Sequence, residues 1–498
     1  MFCSTLLCSR FVAQGAHWSP AWVIVALLLT TLLPDSAQAI PAFNRQTGQN
    51  CVACHAGGQF PELTPYGRLF KLTGYIIGQR GLPISAMAVV SASKVANTSK
   101  SDDPAADFQK DGKPILATAS LLLGGKLTDN IGAFAQITYD PYAVSHADGS
   151  FSGHSNADNI DIRYADRFIG GQRDLIVGLS ANNNPSVSDP WNTAGAWMQY
   201  VPVPSPTGSR FIDGNTPYPG YGSGGNIAGL SAYAFWNTSV YAELGGYGSA
   251  RGLTSFMSAG IANADKTRLR GINPYWRLAY NHEWGAHSLM LGTAGMDAQV
   301  YADPLDTSDA ANTHRYRDLS VDAQYQYLLD PHAVTAQWVY TSNLHRYPPS
   351  MAGQAVAFVD AAGNPLANTN ASDTNHLMRG KLTYVYQARY GGSLSLFNLT
   401  GSSNAAYLTA GLDPGSLTVN PDPTATAPST SAVDGNRTGS PATRGLTLEA
   451  FWTPLQTLRV GVQYTAYSRI AGASKNYDGF GRNASDNNAL FLYTWVAY

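Results

Sequence analysis

From Ile84 onward, the sequence repeats one pattern that strongly limits how it can fold. Runs of about ten residues alternate apolar and polar side chains, pairs of runs are joined by a tight turn, and each pair is followed by a long irregular segment. In ASLLLGGKLTDNIGAFAQITYD, Leu127, Ile131 and Ile137 share one parity around a turn at 128–130. Successive side chains of a strand point to opposite faces, so this period of two predicts β-hairpins.

Seven such hairpins are predicted between two single strands. Their turns are placed at Thr128-Asp129-Asn130, Gly170-Gly171, Asn237-Thr238, Trp284-Gly285, Asp330-Pro331, Gly391-Gly392 and Thr453-Pro454. The single runs are Ile84 to Ser93 and Asn488 to Tyr498. Pairing the first run with the last closes a barrel of sixteen strands, an even number that leaves no free edge.

The composition favours a barrel whose outer surface faces lipid. Only 13% of the residues are charged, while the chain contains 49 glycines, 28 tyrosines and 10 tryptophans. This combination is typical of transmembrane β-barrels rather than of soluble proteins of similar length. We therefore expect an all-β, antiparallel transmembrane β-barrel over residues 84–498. A soluble β-sandwich or propeller is the alternative, because alternation alone does not show which face meets lipid.

The turns and the long segments predict how the barrel is oriented. In bacterial outer-membrane barrels the short turns are periplasmic and the long loops are extracellular. The segments 201–226, 347–375 and 415–445 are rich in Pro, Gly, Ser, Thr and Asn and suit the extracellular position. Four tryptophans are candidates for the aromatic girdles at the lipid interfaces, or for packing inside the lumen: Trp236, Trp338, Trp452 and Trp495.

Residues 1–39 have the features of a cleavable secretion signal. Arg10 precedes an apolar stretch from Ala21 to Leu33, which is too short to span a bilayer comfortably, and an A-x-A cleavage site follows at 37–39. A signal anchor left in place is the alternative. Cleavage would remove Cys3 and Cys8, so that only two of the four cysteines remain in the exported chain.

The two remaining cysteines belong to the motif CVACH. In C-x-x-C-H, two thiols add to the haem vinyl groups as thioethers, and the adjacent imidazole ligates the iron. Cys51, Cys54 and His55 are therefore predicted to bind one covalently attached haem c, with His55 as the metal ligand. A thioredoxin-like pair would require a βαβ pattern and a zinc site further Cys or His nearby, and the sequence contains neither.

The segment 40–83 is too short to enclose a haem alone, so we expect it to lie as a plug inside the barrel, which covers the haem. Within this segment, 63–75 has helical spacing. Its apolar face consists of Tyr66, Leu69, Phe70 and Thr73. This face could pack on the porphyrin or on the barrel wall.

The second axial iron ligand is left open by the sequence. Met87 in the first strand is one candidate, although it could equally face lipid. A barrel histidine is another, although a lone strand histidine is more often a polar lumen residue. These candidates are His282, His287 and His376. An open coordination position is the third possibility.

Two groups of loop carboxylates could attract cations or could be ordinary solvated residues. The first group is Asp102, Asp103 and Asp107, and the second is Asp303, Asp306 and Asp309.

The whole chain after the leader resembles one known family. A single C-x-x-C-H close after the leader, the following FPELTPYGRLFKLTGY and the porin-like remainder are similar to the fused outer-membrane cytochrome–porins of iron-oxidising bacteria. GGKLTDNIGAFAQITYD and LIVGLSANNNPSVSDPWNT are similar to that family too. The resemblance implies that Cys51 and Cys54 hold the haem, that His55 ligates its iron, and that the protein is an oxidoreductase that oxidises extracellular Fe(II) and passes the electron inward.

We expect the electron acceptor to be a periplasmic cytochrome c or a copper protein. Three other functions remain open: a diffusion porin whose haem segment is a plug or redox-sensing gate, an electron conduit for another donor, and a soluble secreted haem protein. A net charge of −2 without a Lys/Arg cluster argues against nucleic acid as a partner. The sequence contains no nucleophile elbow, phosphate loop or HExxH motif.

Overall fold

A computed structural model describes most of the chain from residue 41 onward. The described residues are 41–58, 62–97, 114–145, 151–171, 173–192, 226–258, 268–351, 355–359, 365–367, 369–408, 436–479 and 481–498. Gln38–Tyr498 forms one compact unit. The expected signal peptide, the loop carboxylates Asp102, Asp103 and Asp107, and most of 201–226 and 415–445 lie outside the described residues.

Sixteen strands form one closed antiparallel barrel, as predicted. They are β1 (Ile84–Val95), β2 (Ile115–Lys126), β3 (Ile131–Ser145), β4 (Phe151–Gly170), β5 (Arg173–Asn182), β6 (Ile227–Trp236), β7 (Val240–Ser249), β8 (Asn273–Trp284), β9 (His287–Tyr301), β10 (Thr313–Leu329), β11 (His332–Arg346), β14 (Ser372–Tyr386), β15 (Tyr390–Gly401), β16 (Thr443–Leu455), β17 (Leu458–Arg469) and β18 (Ala489–Ala497). Two short strands, β12 (Ala355–Val359) and β13 (Pro365–Ala367), pair with each other outside the barrel.

Each barrel strand pairs with the next one along the chain, and β1 closes the barrel against β18. Met87 lies opposite Ala497, and Val95 lies opposite Ala489. The backbones of Ala86 and Tyr498 exchange two hydrogen bonds of 2.8 Å, so both ends of the barrel sequence meet at the rim that carries the short turns. We call this the turn rim, and the opposite rim, which carries the long connections, the loop rim.

Two of the seven predicted turns were misplaced. Gly391 and Gly392 lie inside β15, and the turn before them is 387–389. A Cβ on Gly391 would lie 2.2 Å from the ring of Phe451, so close packing rather than a turn explains this glycine. Pro454 lies inside β16, at a register irregularity between residues 452 and 455, which is where a strand tolerates proline.

The outward faces of the strands are apolar. Large apolar side chains exposed on this surface include Leu230, Leu244, Leu291, Leu319, Leu382 and Leu492. Trp236, Trp338 and Trp452 also point outward, whereas Trp495 is only 6% exposed and points into the lumen. A closed antiparallel barrel with an apolar exterior has the architecture of a transmembrane β-barrel.

Four short α-helices accompany the barrel: α1 (Pro41–Thr47), α2 (Cys51–Cys54), α3 (Pro65–Leu72) and α4 (Pro185–Ser188). α3 is shorter than the predicted helix over 63–75, because Thr64 caps its start by accepting the Gly67 N–H and Gly74 ends it with φ +76°. Among the described residues, no helix is both long and apolar enough to cross a bilayer.

Candidate haem-attachment site

The predicted haem-binding residues lie together on one helical turn. Cys51 and Cys54 begin and end α2, and both are thiols. The backbone N–H of His55 donates to the Cys51 carbonyl at 2.8 Å, and that of Ala53 donates to the Asn50 carbonyl at 3.0 Å. Cys51 and Cys54 are three residues apart and share a helix face, and His55 caps the helix with extended backbone angles (φ −120°, ψ 136°).

This set of donors fits a c-type haem. Two thiols one turn apart are suited to bond the two vinyl groups, and the imidazole that follows is suited to ligate the iron. Burial lowers the pKa of His55 to about 4, although Glu62 opposes this effect. Burial and the neighbouring Cys51 raise the pKa of the Cys54 thiol to about 11. Both groups are therefore neutral near pH 7.

The N-terminus of α3 is fastened to this turn. The Thr64 N–H donates to the Cys54 carbonyl at 2.9 Å, and its hydroxyl donates to the Ala53 carbonyl. Leu63 pairs with His55 as an isolated β-bridge. A Cβ on Gly67 would lie 2.1 Å from the Cys54 carbonyl oxygen, so only glycine allows α3 to approach this closely. The helix and the CVACH turn therefore form one unit.

Arg68 anchors this unit to the lumen wall. Its guanidinium donates to the Leu63 carbonyl at 3.0 Å and to Gln326 Oε1 on β10 at 2.9 Å. It also donates to Glu283 Oε1 on β8 at 3.0 Å and to Ser288 Oγ on β9 at 2.9 Å. Only 4% of the Arg68 side chain is exposed. A buried cation requires such partners, so these contacts fix α3 against three strands.

Lys71 makes a second buried attachment. Its ammonium group donates to the Asp189 carbonyl at 2.7 Å and to Asn192 Oδ1 at 2.9 Å. Burial, together with the nearby Arg163, lowers the pKa of Lys71 to about 8. This lysine joins the helical segment to residues that follow β5.

The segment 183–192 after β5 folds into the barrel, which the sequence did not lead us to expect. Its short helix α4 and the following residues are mostly buried, and Trp191 is completely buried. The Trp191 ring packs edge-on against Tyr241 with centroids 5.6 Å apart, and its carbonyl accepts a hydrogen bond from Gln324 at 3.3 Å. This part of the lumen is therefore filled by protein.

The end of α3 is held by a buried polar network. The Tyr75 hydroxyl donates to Asp161 Oδ2 at 2.6 Å, and Arg163 Nε donates to the same oxygen at 2.7 Å. The Tyr233 hydroxyl donates to the Leu72 carbonyl at 2.6 Å. Burial and Asp161 raise the pKa of Tyr75. The network ties the helical segment to β4 and β6.

The helical segment reaches the opposite wall as well. Lys381 on β14 donates to Glu62 at 2.8 Å, and the Glu62 side chain is only 3% exposed. On the other side, the Lys126 N–H on β2 donates to Gln46 Oε1 at 2.9 Å. Residues 41–75 therefore span the lumen from β2 to β14. We call residues 41–83 the plug.

The predicted apolar face of α3 does not act as one surface. Phe70 packs edge-on against Phe43 within the plug, with centroids 5.0 Å apart. Leu69 packs against the wall cluster that includes Trp191. Tyr66 is partly exposed, and burial together with the nearby Cys54 raises its pKa. Of the two alternatives, packing on the barrel wall is the one that Leu69 follows.

The three barrel histidines considered as axial ligands face away from the lumen. His282 is exposed and stacks on Trp284 with centroids 5.2 Å apart. His287 Nδ1 lies 2.8 Å from the Tyr325 hydroxyl, and His376 Nδ1 lies 2.9 Å from the Tyr340 hydroxyl. All three lie on the outward parity of their strands, so the idea of a lumenal barrel ligand among them was wrong.

Met87 does face the lumen. It lies on the same parity of β1 as the buried Val89 and packs against the cluster that contains Trp495. The alternative that Met87 faces lipid is therefore wrong.

The sequence analysis missed a pair of lumen histidines near the loop rim. His314 Nδ1 lies 2.8 Å from His345 Nε2, and both side chains are completely buried. Tyr316 stacks on His345 with centroids 4.3 Å apart. The alternation along β10 would have predicted that His314 faces the lumen, because His314 shares the parity of the buried Asp318 and Asp322.

The second group of loop carboxylates orders its own loop. Asp303, Asp306 and Asp309 each accept the backbone N–H two residues later, at 2.7, 2.9 and 2.8 Å. Within the described parts of the chain, no three His, Cys, Asp or Glu side chains converge on one metal position. These aspartates are therefore turn-forming loop residues.

Comparison with known proteins finds distant likeness only. No family model and no curated protein matches the sequence. Among solved structures, the chain is similar to Salmonella typhi OmpF in complex with daunomycin, with 11% identity, 83% of this chain and 97% of that chain covered, and a TM-score of 0.42. It is also similar to the outer-membrane channel DcaP of Acinetobacter baumannii, with 11% identity, 83% of this chain and 96% of that chain covered, and a TM-score of 0.40. The same holds for Pseudomonas putida OprB, with 10% identity, 83% of this chain and 93% of that chain covered, and a TM-score of 0.41.

Proposed function

We propose that this protein is an outer-membrane oxidoreductase that oxidises extracellular Fe(II) at one covalently bound haem and passes the electron to a periplasmic carrier. One observation carries the proposal: Cys51 and Cys54 begin and end one helical turn, His55 caps it, and this turn is fixed inside a closed barrel. The resemblance of the sequence to fused cytochrome–porins supports the same reading.

The residues of the turn have separate tasks. Cys51 and Cys54 would hold the haem through two thioether bonds, and His55 would ligate its iron. A haem held there would supply one-electron chemistry, and the overall reaction balances because one Fe(II) ion becomes Fe(III) and one oxidised carrier gains the electron. No nucleophile or general base is needed from the protein.

The proposed orientation has the turn rim in the periplasm and the loop rim outside the cell. The plug contacts the turn rim, because Gly58 approaches Ala388 in the turn between β14 and β15, at 3.8 Å from its would-be Cβ. Val52, between the two cysteines, is 40% exposed. In the proposed orientation, the exposed Val52 would be the part of the turn that a periplasmic cytochrome c or copper protein reaches.

The packing of the plug argues against a diffusion porin. Opening a pore would require the buried contacts of Arg68, Lys71 and Glu62 with the barrel to break. Breaking each of these contacts leaves a charged group without its partners, at a cost of about 1–3 kcal/mol or more. A haem-bearing plug that acts as a gate would open only if a ligand offset the free energy lost when these contacts break.

Anaerobic stopped-flow spectroscopy tests the proposal. The oxidised protein, produced in a host with c-type haem maturation and held in detergent, is mixed with Fe(II). We expect rapid appearance of the reduced haem bands, loss of this signal in His55→Ala, and no change in His376→Ala, which alters an outward histidine. A haem that dithionite reduces but Fe(II) does not would contradict the proposed donor.

A further inference from the structure

Four arginines form a basic patch on the outer surface of the barrel near the loop rim. Arg315 and Arg317 on β10 have side chains that are 44% and 55% exposed. Arg346 on β11 and Arg270, which precedes β8, are exposed too. We call Arg270, Arg315, Arg317 and Arg346 the arginine patch. It lies on the face that the apolar side chains of the same strands share.

Strand register places the patch in one compact row. Arg315 lies opposite Gln299 on one side and Arg346 on the other. The Arg270 N–H donates to the Gln299 carbonyl at 2.8 Å, and its guanidinium donates to Gln299 Oε1 at 2.8 Å. Neighbouring strands lie about 4.8 Å apart, so the row from Arg270 to Arg346 spans about 14 Å. Arg317 lies two residues closer to the centre of β10.

The patch carries more positive charge than its own partners balance. Asp297 accepts hydrogen bonds from Arg315 at 2.9 and 2.7 Å and from Arg317 at 3.3 Å. One carboxylate thus serves two of the four arginines. Arg315 and Arg346 lie directly opposite each other, and like charges in that position repel. An external anion would relieve this repulsion.

The height of the patch matches the lipid head groups. Below it on β10, the outward side chains continue through Leu319 and Val321 to Tyr325 and Tyr327. The eight residue steps from Leu319 to Tyr327 rise about 20 Å once strand tilt is included, close to the thickness of the apolar band of such barrels. An outward arginine costs about 2–4 kcal/mol at mid-membrane but little at the interface. The arginines therefore begin where the apolar band ends.

We propose that the arginine patch binds the phosphate groups of a phosphorylated glycolipid of the outer leaflet. Arginine forks bind phosphate oxygens in pairs, and a patch of four arginines with one carboxylate leaves several donors for a head group with two phosphates. The inference rests on the proposed orientation, with the loop rim outside the cell. It does not involve the haem turn, which lies at the other rim.

Lipid binding to the purified barrel tests this proposal. Native mass spectrometry in neutral detergent would measure binding of bis-phosphorylated lipid A, its dephosphorylated form and phosphatidylethanolamine. The variant combines Arg315→Gln, Arg317→Gln and Arg346→Gln. Arg173→Gln, which removes an exposed arginine at the turn rim, is the matched control. Heat-modifiable gel mobility confirms that each variant is folded.

We expect the triple variant to bind bis-phosphorylated lipid A at least about tenfold more weakly, and the control to bind like the wild type. Equal binding by the triple variant, or equal binding of the dephosphorylated lipid, would overturn the proposal. Dimers that disappear only in the triple variant, without lipid, would instead assign the patch to a second copy of the chain. Fe(II) should reduce the triple variant as it reduces the wild type. A failure of Fe(II) to reduce the wild-type haem would therefore count against the proposed function and not against the lipid proposal.

Discussion

Gly67 approaches the Cys54 carbonyl so closely that a Cβ on Gly67 would lie 2.1 Å from that oxygen. Real Cβ atoms do not occur at such distances, so α3 and the CVACH turn can pack only with glycine at this position. The same contact region includes the hydrogen bond from the Thr64 N–H to Cys54. The geometry of the haem turn therefore depends on a residue outside the motif.

Gly67→Ala should reduce haem attachment while the barrel still forms. The methyl group must push α3 away from the turn, and such overpacking typically costs about 1–3 kcal/mol. Gly170→Ala is the control, because a Cβ there meets nothing within 4 Å and its φ is not positive. Haem absorbance per folded barrel is the measurement. Unchanged haem content in Gly67→Ala would refute the claim that this contact fixes the turn.

Arg68→Met should loosen the plug. The change removes four hydrogen bonds, three of them to barrel strands, and leaves Gln326 and Ser288 without a strong donor. We expect a loss of about 1–3 kcal/mol in plug stability, seen as a higher ion conductance in single-channel recordings. Arg173→Met, which changes an exposed arginine at the turn rim, serves as the control. Conductance equal to the wild type in Arg68→Met would contradict the anchoring role.

Lys71 should make the free energy of unfolding depend on pH in the alkaline range. Its folded-state pKa of about 8 lies below the value of about 10.4 for an unfolded lysine, so the folded protein binds fewer protons between these values. Stability should therefore rise from pH 8 to pH 10.4, by at most about 3 kcal/mol, relative to Lys71→Met. Urea unfolding at several pH values measures this difference. A difference that stays constant with pH would show that the pKa of Lys71 is not lowered in the folded protein.

Deletion of residues 41–83 should convert the barrel into an open channel. The sixteen strands close without the plug, because β1 pairs directly with β18. The plug contacts walls from β2 to β14, so its removal leaves polar lumen surface for water. Planar-bilayer recordings should find large, steady conductance in the deletion variant and little in the full protein. Equal conductance would mean that the plug does not close the lumen.

The sequence was sufficient to predict the barrel because a period of two is visible in every strand. The strand count, the closure and the rim at which both ends meet follow from that alternation and from the short turns. The turn before β15 was misplaced because Gly391 resembles turn glycine, whereas it makes room for the distant Phe451 ring. A contact between different hairpins leaves no local signal.

The lumen was harder to predict than the wall. His282 and His376 were considered as ligands by residue type, although counting parity from neighbouring buried residues would have placed them outside. The inward fold of 183–192 could not be foreseen, since its Lys71 and Gln324 partners are far away in sequence. The spacing of the motif alone indicates that Cys51 and Cys54 lie one helical turn apart, because residues three apart share a helix face.

The intact mass of the mature protein tests the central claim most directly. The protein would be purified from a host with c-type haem maturation and compared with the double variant Cys51→Ala, Cys54→Ala. We predict that the wild-type mass exceeds the polypeptide mass by one haem, which remains bound after denaturation, and that the double variant has the polypeptide mass alone. A wild-type mass without haem, in a host that matures another c-type cytochrome, would contradict the account.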